Sequence, residues 1–326
     1  MKRFVLSCLL LLPLLLGAQS KSTLTVVSWD ASNSIGRGKD VKKGKMDVQR
    51  LWSNSFEAAA DMLAELDADI IGLQDVCDSI AGRAGSCGLP QALQRAGCRY
   101  TFTILSNEKA SFPVDGAIAN ATAVLWKTDR FDLVDRGIFW LGGCFDRPAK
   151  VKGLKYGGNN RAAVWVRLKE KNTGKELYFF SANINGATYN EGGKKISYTE
   201  ITDANSRNLI DFAANVIIRP AKTPSIIVCN MHAQPSSNGY QILTGSRWLD
   251  LRDQLKEETM LTSDSDDGDL LNTQNENKRT GGRPCHILVD GLSMDSYRVW
   301  RKKYPTADES LHYPSLTFPI VGVLKF

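Results

Sequence analysis

The sequence predicts an α/β protein with a single large domain. Short runs rich in β-branched residues break off into polar residues, as in Ile226 to Asn230, and such runs are typical of buried strands. Between these runs, apolar residues recur at helical intervals, for example from Phe56 to Leu66. A chain of 326 residues, 43% of them hydrophobic, has enough apolar material for one large core.

The first twenty residues predict a secretory signal peptide. Lys2 and Arg3 precede the apolar run Phe4 to Leu16, and small residues follow near Ala18. A membrane anchor is the alternative, but a spanning helix needs about 20 apolar residues, and neither this run nor any later one is long enough. We therefore expect a signal peptide at residues 1–20, a mature domain at residues 21–326, and an exported protein that is periplasmic or secreted.

Charge and cysteine content bear on the partners and the compartment. The formal net charge of +6 includes Lys2 and Arg3, so the mature chain carries no strong signal for nucleic acid. Cys8 leaves with the signal peptide, and the other cysteines enter an oxidising compartment with many possible pairings. Cys77, Cys87 and Cys98 lie close together in the sequence and invite a local disulfide bridge. Cys229 fits equally well as a buried free thiol. The cysteines in question are Cys77, Cys87, Cys98, Cys144, Cys229 and Cys285.

The first predicted strands are joined by a helix. Residues Leu24 to Trp29 form a strand by composition and end at Asp30, before a basic loop at residues 37–50 that we interpret as a solvated surface. The helix from Phe56 to Leu66 leads into the buried run Asp69 to Asp75, and such a helical crossover suits a parallel or mixed sheet. Asp30 and Asp75 are thus both predicted at strand ends.

The middle of the chain continues with strands and a hairpin. Residues 77–97 are glycine-rich and predicted to be irregular, and strands are expected at residues 100–104, 122–126 and 134–140. Asn172 to Gly174 tolerate positive φ and lie between two strand-like runs, at residues 162–168 and 177–182. This spacing predicts an antiparallel hairpin.

The last third of the chain contains the strand end with the most unusual side chains. A helix around residues 209–216 precedes the strand that ends at Asn230, and two further strands are expected at residues 287–292 and 320–326. Because ligands of open α/β sheets collect beyond the strand ends, we predict a site at Asn230 and His232. His286 and His312 have no motif around them and are expected to be ordinary surface or edge residues.

The strand ends form a series of five blocks that spans nearly all of the mature chain. The blocks are Ser28 to Asp30, Asp69 to Asp75, Ser181 to Asn185, Val228 to His232, and Tyr313 to Pro319. This series resembles the endonuclease/exonuclease/phosphatase family, in its bacterial exported branch. The resemblance implies a four-layer α/β sandwich of the DNase I-like kind, in which helices flank two packed mixed β-sheets. It also implies metal-dependent cleavage of phosphodiesters or phosphate esters at the sheet edge.

Most functional positions depart from the motifs of that family. The first strand ends in Asp30 where the family has Asn, and the second ends in Asp75 where the family has a metal-binding Glu. Asn183 replaces the His that stabilises phosphoryl charge, and Asn185 replaces the carboxylate that follows it. These changes remove two charged or titratable groups from the site that the resemblance implies.

The blocks that serve the attacking water are altered as well. Asn230 replaces the Asp that orients the water, and His232 replaces the Asn that contacts phosphate. Leu316 and Thr317 replace the Asp-His pair that generates the base. A divalent metal needs several convergent oxygen ligands and the water needs an oriented base, so the losses act together.

Two functions are compatible with this pattern. The first is an exported pseudoenzyme that keeps the fold as a binding or structural module, with no catalytic residue, no cofactor, and an unknown ligand or protein partner. The second is an active metal-dependent phosphoric ester hydrolase with a rebuilt site that uses Mg²⁺ or Mn²⁺. In that site Asp75 and Asp30 are the candidate metal ligands, and Asn185, Asn230 and His232 complete the set.

The same residues also have purely structural explanations. Asp30 and Asp75 can cap the turns after their strands through their own backbone. Asn183 and Asn185 can satisfy buried backbone groups at the end of the sheet. Convergence of both aspartates on His232 within about 5 Å is the feature that would favour the hydrolase.

Overall fold

The computed structural model describes most of the predicted domain, with gaps. The described residues are 22–31, 56–76, 89–104, 121–147, 149, 151, 161–184, 188–191, 194–197, 199–219, 222–231, 236–255, 285–305, 311–312, 314 and 317–326. The predicted signal peptide and the basic loop at residues 37–50 lie outside them. Within the part that is described, no helix is long and apolar enough to cross a membrane.

Strands and helices follow one another through the described chain. In order they are β1 (Thr23–Asp30), α1 (Phe56–Leu66), β2 (Ile70–Val76), α2 (Leu89–Arg95), β3 (Tyr100–Ile104), β4 (Ala121–Lys127), β5 (Phe131–Trp140), β6 (Ala162–Glu170), β7 (Glu176–Asn183), β8 (Thr188–Glu191), β9 (Lys194–Ser197), α3 (Thr199–Phe212) with a π-helical continuation (Ala213–Ile218), β10 (Ser225–Asn230), α4 (Asn238–Thr244), β11 (Leu249–Asp250), α5 (Leu251–Leu255), β12 (Cys285–Asp290), β13 (Ser293–Val299), β14 (Tyr304–Pro305), β15 (Leu311–His312) and β16 (Ile320–Lys325).

Two six-stranded sheets pack face to face. The first has the strand order β13-β16-β1-β2-β4-β3, and the second has the order β11-β12-β10-β7-β6-β5. In each sheet one central pair is parallel, β1 with β2 and β7 with β10, while the other pairs are antiparallel. The two packed mixed sheets that the family resemblance implies are therefore confirmed.

Apolar side chains fill three layers of core. Between the sheets lie residues such as Val26, Val124 and Val228, which come from strands of both sheets. On the outer faces, Leu63 of α1 belongs to the core that covers the first sheet, and Leu209 of α3 belongs to the core that covers the second. Each sheet thus buries both faces, which explains why its central strands are apolar nearly throughout.

The sheets approach each other closely at Gly72 in β2. A Cβ atom built at Gly72 would collide with Val228 Cγ2 and would lie 3.1 Å from Ser181 Oγ and 3.2 Å from Phe179 Cε1. Val228 and Phe179 belong to β10 and β7 of the facing sheet. The missing side chain of Gly72 therefore sets the local separation of the sheets, close to the strand ends of the predicted site.

We expect Gly72→Ala to destabilise the protein by about 1–3 kcal/mol, because overpacking a tight core forces side chains out of their rotamers. Urea unfolding monitored by circular dichroism measures this change. The matched control is Gly72→Ala combined with Val228→Ala, which removes the colliding methyl groups. The double variant should lose less stability than the sum of the two single variants, and strict additivity would contradict the close approach.

A set of largely buried ion pairs, which we call the clasp, joins the two sheets at the end opposite the predicted site. Arg130, in the turn between β4 and β5, bonds Glu170 at the end of β6 with Nη2 and Oε1 2.7 Å apart. The same guanidinium contacts Asp69, which immediately precedes β2. Glu170 also accepts hydrogen bonds from Thr173 and Ser22. One guanidinium therefore bridges carboxylates that belong to different sheets.

Several local predictions are confirmed and others are wrong. The predicted hairpin is confirmed, since β6 and β7 pair antiparallel and Gly174 adopts a φ of +70° in the turn between them. Residues 89–95 form a helix although residues 77–97 were predicted to be irregular. Leu89 and Leu93 are four residues apart and both buried, and Pro90 is tolerated in a first helical turn. The apolar spacing was therefore present, but over too short a segment to stand out.

Two further differences concern helix α3 and strand β13. The regular spacing through residue 216 predicts an inward-facing Val216, but this side chain is 37% exposed. The π-helical turn at Ala213–Ile218 has a wider repeat, which rotates the later side chains away from the predicted stripe.

The strand β13 was missed because it is an edge strand in which exposed polar residues interrupt the apolar pattern.

The described cysteines narrow the predicted pairings. Cys98, Cys144 and Cys229 are free thiols. Cys229 is completely buried, which agrees with the alternative that it is a buried free thiol. Burial, together with the charge of Asp250, raises the pKa of this thiol. The predicted local bridge does not include Cys98, while Cys77 and Cys87 lie outside the described residues.

Candidate functional site

The predicted strand ends meet at one edge of the sandwich. In the parallel pair β1 and β2, Asp30 is level with Gln74, and in the parallel pair β7 and β10, Asn183 is level with Asn230. Side chains alternate along a strand, and Val228, two residues before Asn230, lies in the core between the sheets. Asp30, Asn183 and Asn230 therefore all lie on the inner faces of the sheets, at the strand ends where the sequence predicts them.

Asp30 and Asn230 contact each other across the gap between the sheets. Asn230 Nδ2 donates a hydrogen bond to Asp30 Oδ2. Asp30 is only 2% exposed and Asn230 is fully buried. The family that the sequence resembles has Asn at the first position and Asp at the second. The two departures therefore form one bonded pair, in which the carboxylate and the amide have exchanged sheets.

Two further polar side chains, Gln74 and Ser181, bond the sheets to each other near this pair. Gln74 is fully buried, and its Nε2 donates to Ser181 Oγ at 3.0 Å. Ser181 in turn donates to the carbonyl oxygen of Leu73 at 3.1 Å, so that β7 is bonded to β2 across the sandwich. Sequence reasoning missed both residues. Their signal is a polar residue within an otherwise apolar strand, close to its carboxyl end.

Thr317 is positioned by a neighbour of Asp30. Trp29 Nε1 donates to the carbonyl oxygen of Thr317 at 3.0 Å, and both residues are buried. Thr317 leads into β16, whose first residue Ile320 is level with Ser28 of β1. The structure thus brings Thr317 to the same edge as Asp30.

The backbone of Asp75 lies in a β-bulge. Leu73 is level with Ala123 and Val76 with Ala121, so Gln74 and Asp75 together oppose the single residue Thr122. Bulges often occur beside active sites, where they change the direction in which a side chain points. The strand end predicted for Asp75 is confirmed at the level of the backbone. The bulge itself leaves no trace in the apolar pattern of the sequence.

The structure leaves some of the predicted site residues untested. Asn185, His232 and Leu316 lie outside the described residues, and so does the side chain of Asp75. The convergence of Asp30, Asp75 and His232 that would favour the hydrolase therefore remains a prediction.

The described residues of the edge do not by themselves fit a divalent cation. Asp30 is the one carboxylate that they contribute, and Asn230 already bonds one of its oxygens. Magnesium and manganese require several oxygen ligands in a near-octahedral arrangement. Among the residues that the structure describes, no group of three or more His, Cys, Asp or Glu side chains could hold a metal ion.

A second buried polar cluster lies behind Asn230. His286 Nδ1 is 2.9 Å from Asp250 Oδ2, and Tyr240 donates to the same oxygen at 2.9 Å. Along β10 and β12, Asn230 is level with Cys285 and the preceding Cys229 with His286, so the cluster lies on the helix-facing side of the sheet. Burial raises the pKa of Asp250, but hydrogen bonds from His286 and Tyr240 outweigh it and hold that pKa below its usual value.

The cluster corrects the prediction for one histidine. His286 is 3% exposed and bound to Asp250, so its assignment to the surface is wrong. Its partner comes from β11, a strand of two residues that the sequence pattern does not reveal. The side chain of His312 lies outside the described residues.

Comparison with known proteins identifies the fold. No protein-family model and no curated protein matches the sequence. Among solved structures, the chain is similar to an endonuclease/exonuclease/phosphatase family protein from Bacteroides thetaiotaomicron. The TM-score is 0.67 and the identity 22%, over 94% of this chain and 95% of the other. A mannosyl-6-phosphatase from the same organism matches with a TM-score of 0.67 and 22% identity, over 93% and 100% of the two chains.

A more distant structure agrees with these two. The human Nocturnin catalytic domain matches with a TM-score of 0.59 and 16% identity, over 93% of each chain. At these identities the likeness shows the fold alone. The chain has the DNase I-like sandwich of endonuclease/exonuclease/phosphatase proteins, as the resemblance of its strand ends implies.

Proposed function

We propose that this protein is an exported endonuclease/exonuclease/phosphatase-fold protein that binds a ligand or protein partner at the sheet edge without hydrolysing a phosphate ester. The observation that carries the proposal is the bonded pair Asp30–Asn230 at the inner edge. A buried carboxylate that accepts a hydrogen bond from a buried amide is held in place by that bond. It is therefore poorly disposed to act as a metal ligand or as a base for water.

The chemistry of the altered positions supports the same proposal. A positioned general base contributes on the order of 10² to 10⁴ in rate, and one preorganised charge-stabilising donor on the order of 10² to 10³. Asn183 and Thr317 stand where the resemblance implies a histidine for these tasks. Both are described at the edge, and neither an amide nor a hydroxyl takes up a proton near neutral pH. Such losses are not additive, yet the larger alone brings turnover close to background.

The second candidate function is a metal-dependent phosphoesterase with a rebuilt site. Two observations favour it: a buried carboxylate remains at the edge in Asp30, and a bulge occurs at Asp75. The mannosyl-6-phosphatase with the same fold makes sugar phosphates an appropriate substrate class for the test. In this alternative, Asp75 and His232 supply the ligands that the described residues lack.

Turnover assays distinguish the two functions. With Mg²⁺ or Mn²⁺ present, we expect no hydrolysis above background of sugar phosphates, nitrophenyl phosphates, inositol phosphates or nucleic acid, because base, orienting acid and metal shell are altered together. The controls are Asp75→Ala and His232→Ala, whose background rates should equal that of the wild type. Metal-dependent turnover in the wild type that is lost in both variants would contradict the first function and establish the second.

Export is part of the proposal and has its own test. The basic start, the short apolar run and the small residues near Ala18 are the features that secretion machinery recognises. When the full chain is expressed in a bacterial host with an intact secretion system, the mature protein should begin near residue 20. Amino-terminal sequencing measures this directly, and a mature chain that starts at Met1 would refute it.

A further inference from the structure

A row of stacked cations begins at the end of strand β13 and continues just beyond it. Three cationic side chains lie over aromatic rings, with distances of 4.8, 5.0 and 5.4 Å to the ring centroids. The pairs are Arg298 over Trp300, Arg301 over Phe318, and Lys302 over Tyr304. We call these three cations and their rings the stacked-cation platform. Residues 298–303 contain four cations and no acid, so the segment is strongly basic.

Hydrogen bonds hold the rings of the platform in place. The backbone N–H of Trp300 donates to the carbonyl oxygen of Pro319 at 2.8 Å, and its Nε1 donates to Tyr304 Oη at 2.9 Å. Tyr304 in turn donates to Glu65 of α1 at 2.8 Å, and Lys302 Nζ lies 2.7 Å from the same carboxylate. The platform is thus a braced surface rather than a loose basic tail.

Arg298 is an accessible cation of the row. It is exposed at the end of the edge strand β13, with its guanidinium lying on the Trp300 ring. Stacking fixes the plane of a guanidinium and leaves the N–H donors at its rim directed outwards, which suits bidentate contact with sulfate, phosphate or carboxylate. Less side-chain freedom is then lost when an anion binds.

The platform lies beside the candidate site. Val299 is level with Ile320 and Ile320 with Ser28, so Arg301 follows β13 at the same edge at which Asp30 ends β1. Two strand spacings separate these positions, which is about 10 Å. An extended ligand could therefore contact the platform and the edge together.

The aromatic rings determine which polyanion fits. Proteins that bind single-stranded nucleic acid stack bases on open aromatic faces. Here cations lie over all three rings, and Phe318 and Tyr304 are only 2% and 4% exposed. The surface therefore offers charge without a place for a base. We infer that the stacked-cation platform binds the anionic groups of an acidic polysaccharide. This inference goes beyond the proposed function and does not depend on it, because it requires nothing of Asp30 or of the metal chemistry.

The test uses the full mature chain and three immobilised probes: a sulfated polysaccharide (heparin), a carboxylated one (polygalacturonate) and single-stranded DNA. We expect the wild type to bind a polysaccharide more tightly than DNA at equal salt. Arg298→Gln with Arg301→Gln should weaken polysaccharide binding at least tenfold and lower the log–log salt slope by about 2, as expected when two ionic contacts are lost. The two polysaccharides distinguish sulfate from carboxylate as the preferred group.

The matched control is Arg136→Gln, at an exposed cation on the edge strand β5 of the other sheet. It should leave binding within twofold of the wild type. Arg298→Gln alone, at an exposed position, decides the matter if the double variant does not fold, and it should lower the slope by about 1. Equal losses in Arg136→Gln and Arg298→Gln, an unchanged slope in Arg298→Gln, or tighter binding of DNA than of both polysaccharides would each overturn the inference.

Discussion

Asn230→Asp should be among the most destabilising single substitutions at the candidate site. It places a second carboxylate against Asp30, where Asn230 Nδ2 now donates a hydrogen bond, and both side chains are buried. An uncompensated buried charge costs about 3–5 kcal/mol. Two adjacent carboxylates relieve their repulsion by sharing a proton, so the loss should be large at pH 7 and smaller near pH 4. Urea unfolding at the two pH values measures both effects.

The control is the exchanged pair, Asp30→Asn with Asn230→Asp. It restores one carboxylate and one amide, so most of the stability lost in Asn230→Asp should return. Asp30→Asn alone keeps a hydrogen-bonding amide in place of the carboxylate and should cost about 1–3 kcal/mol. A double-mutant cycle with a coupling energy near zero would show that the two side chains do not contact each other in solution.

The hydrogen-bonded pair of Asp30 and Asn230 links two of the departures from the family motifs. Considered one at a time, Asp30 and Asn230 are two losses from the motifs that the sequence resembles. In the structure they form one hydrogen-bonded pair, with the carboxylate on β1 and the amide on β10. Restoring either position alone therefore creates two carboxylates or two amides. Catalysis cannot be expected to return from a single reversion at this edge.

The positions of the site strands could be predicted from sequence because they depend on local pattern. A β-branched run followed by a polar residue marks the end of β1 and of β10, and the parallel pairs bring Asp30 and Asn230 to one edge. The contact between their side chains could not be predicted. It depends on how closely the two sheets approach, which Gly72 controls from the facing strand β2.

Residues whose partners come from short or irregular elements were missed because such contacts leave no trace in the local sequence pattern. His286 looks unremarkable in sequence because its partner Asp250 belongs to a strand of two residues. The bulge at Asp75 adds one residue to β2 without changing its composition. The stacked-cation platform is visible in sequence only as a basic segment, since the ring beneath Arg301 is contributed by Phe318, from beyond the next strands.

The second large effect is expected at the clasp opposite the site. Arg130→Met should destabilise the protein by about 3–5 kcal/mol at pH 7, because Glu170 and Asp69 would keep their charges without the guanidinium that bridges them. The side chain of Glu170 is only 3% exposed, so water cannot take over that role. Arg95→Met is the matched control. Arg95 forms an ion pair of 3.0 Å with Glu57, but both side chains are more than half exposed, so its loss should cost less than about 1 kcal/mol.

The dependence on pH gives the clasp a signature that simple loss of packing would not produce. In the wild type, burial raises the pKa of Glu170, but hydrogen bonds from Thr173 and Arg130 outweigh it and hold that pKa below its usual value. Its stabilising contribution is therefore present above the unfolded pKa of about 4.3 and is lost as the pH falls through the folded pKa. Without Arg130, burial should dominate and raise the folded pKa, so the variant should gain stability relative to the wild type as the pH falls from 7 towards 4. Unfolding free energies measured across that range test the sign, and a difference between variant and wild type that stays constant with pH would show that Arg130 acts through packing alone.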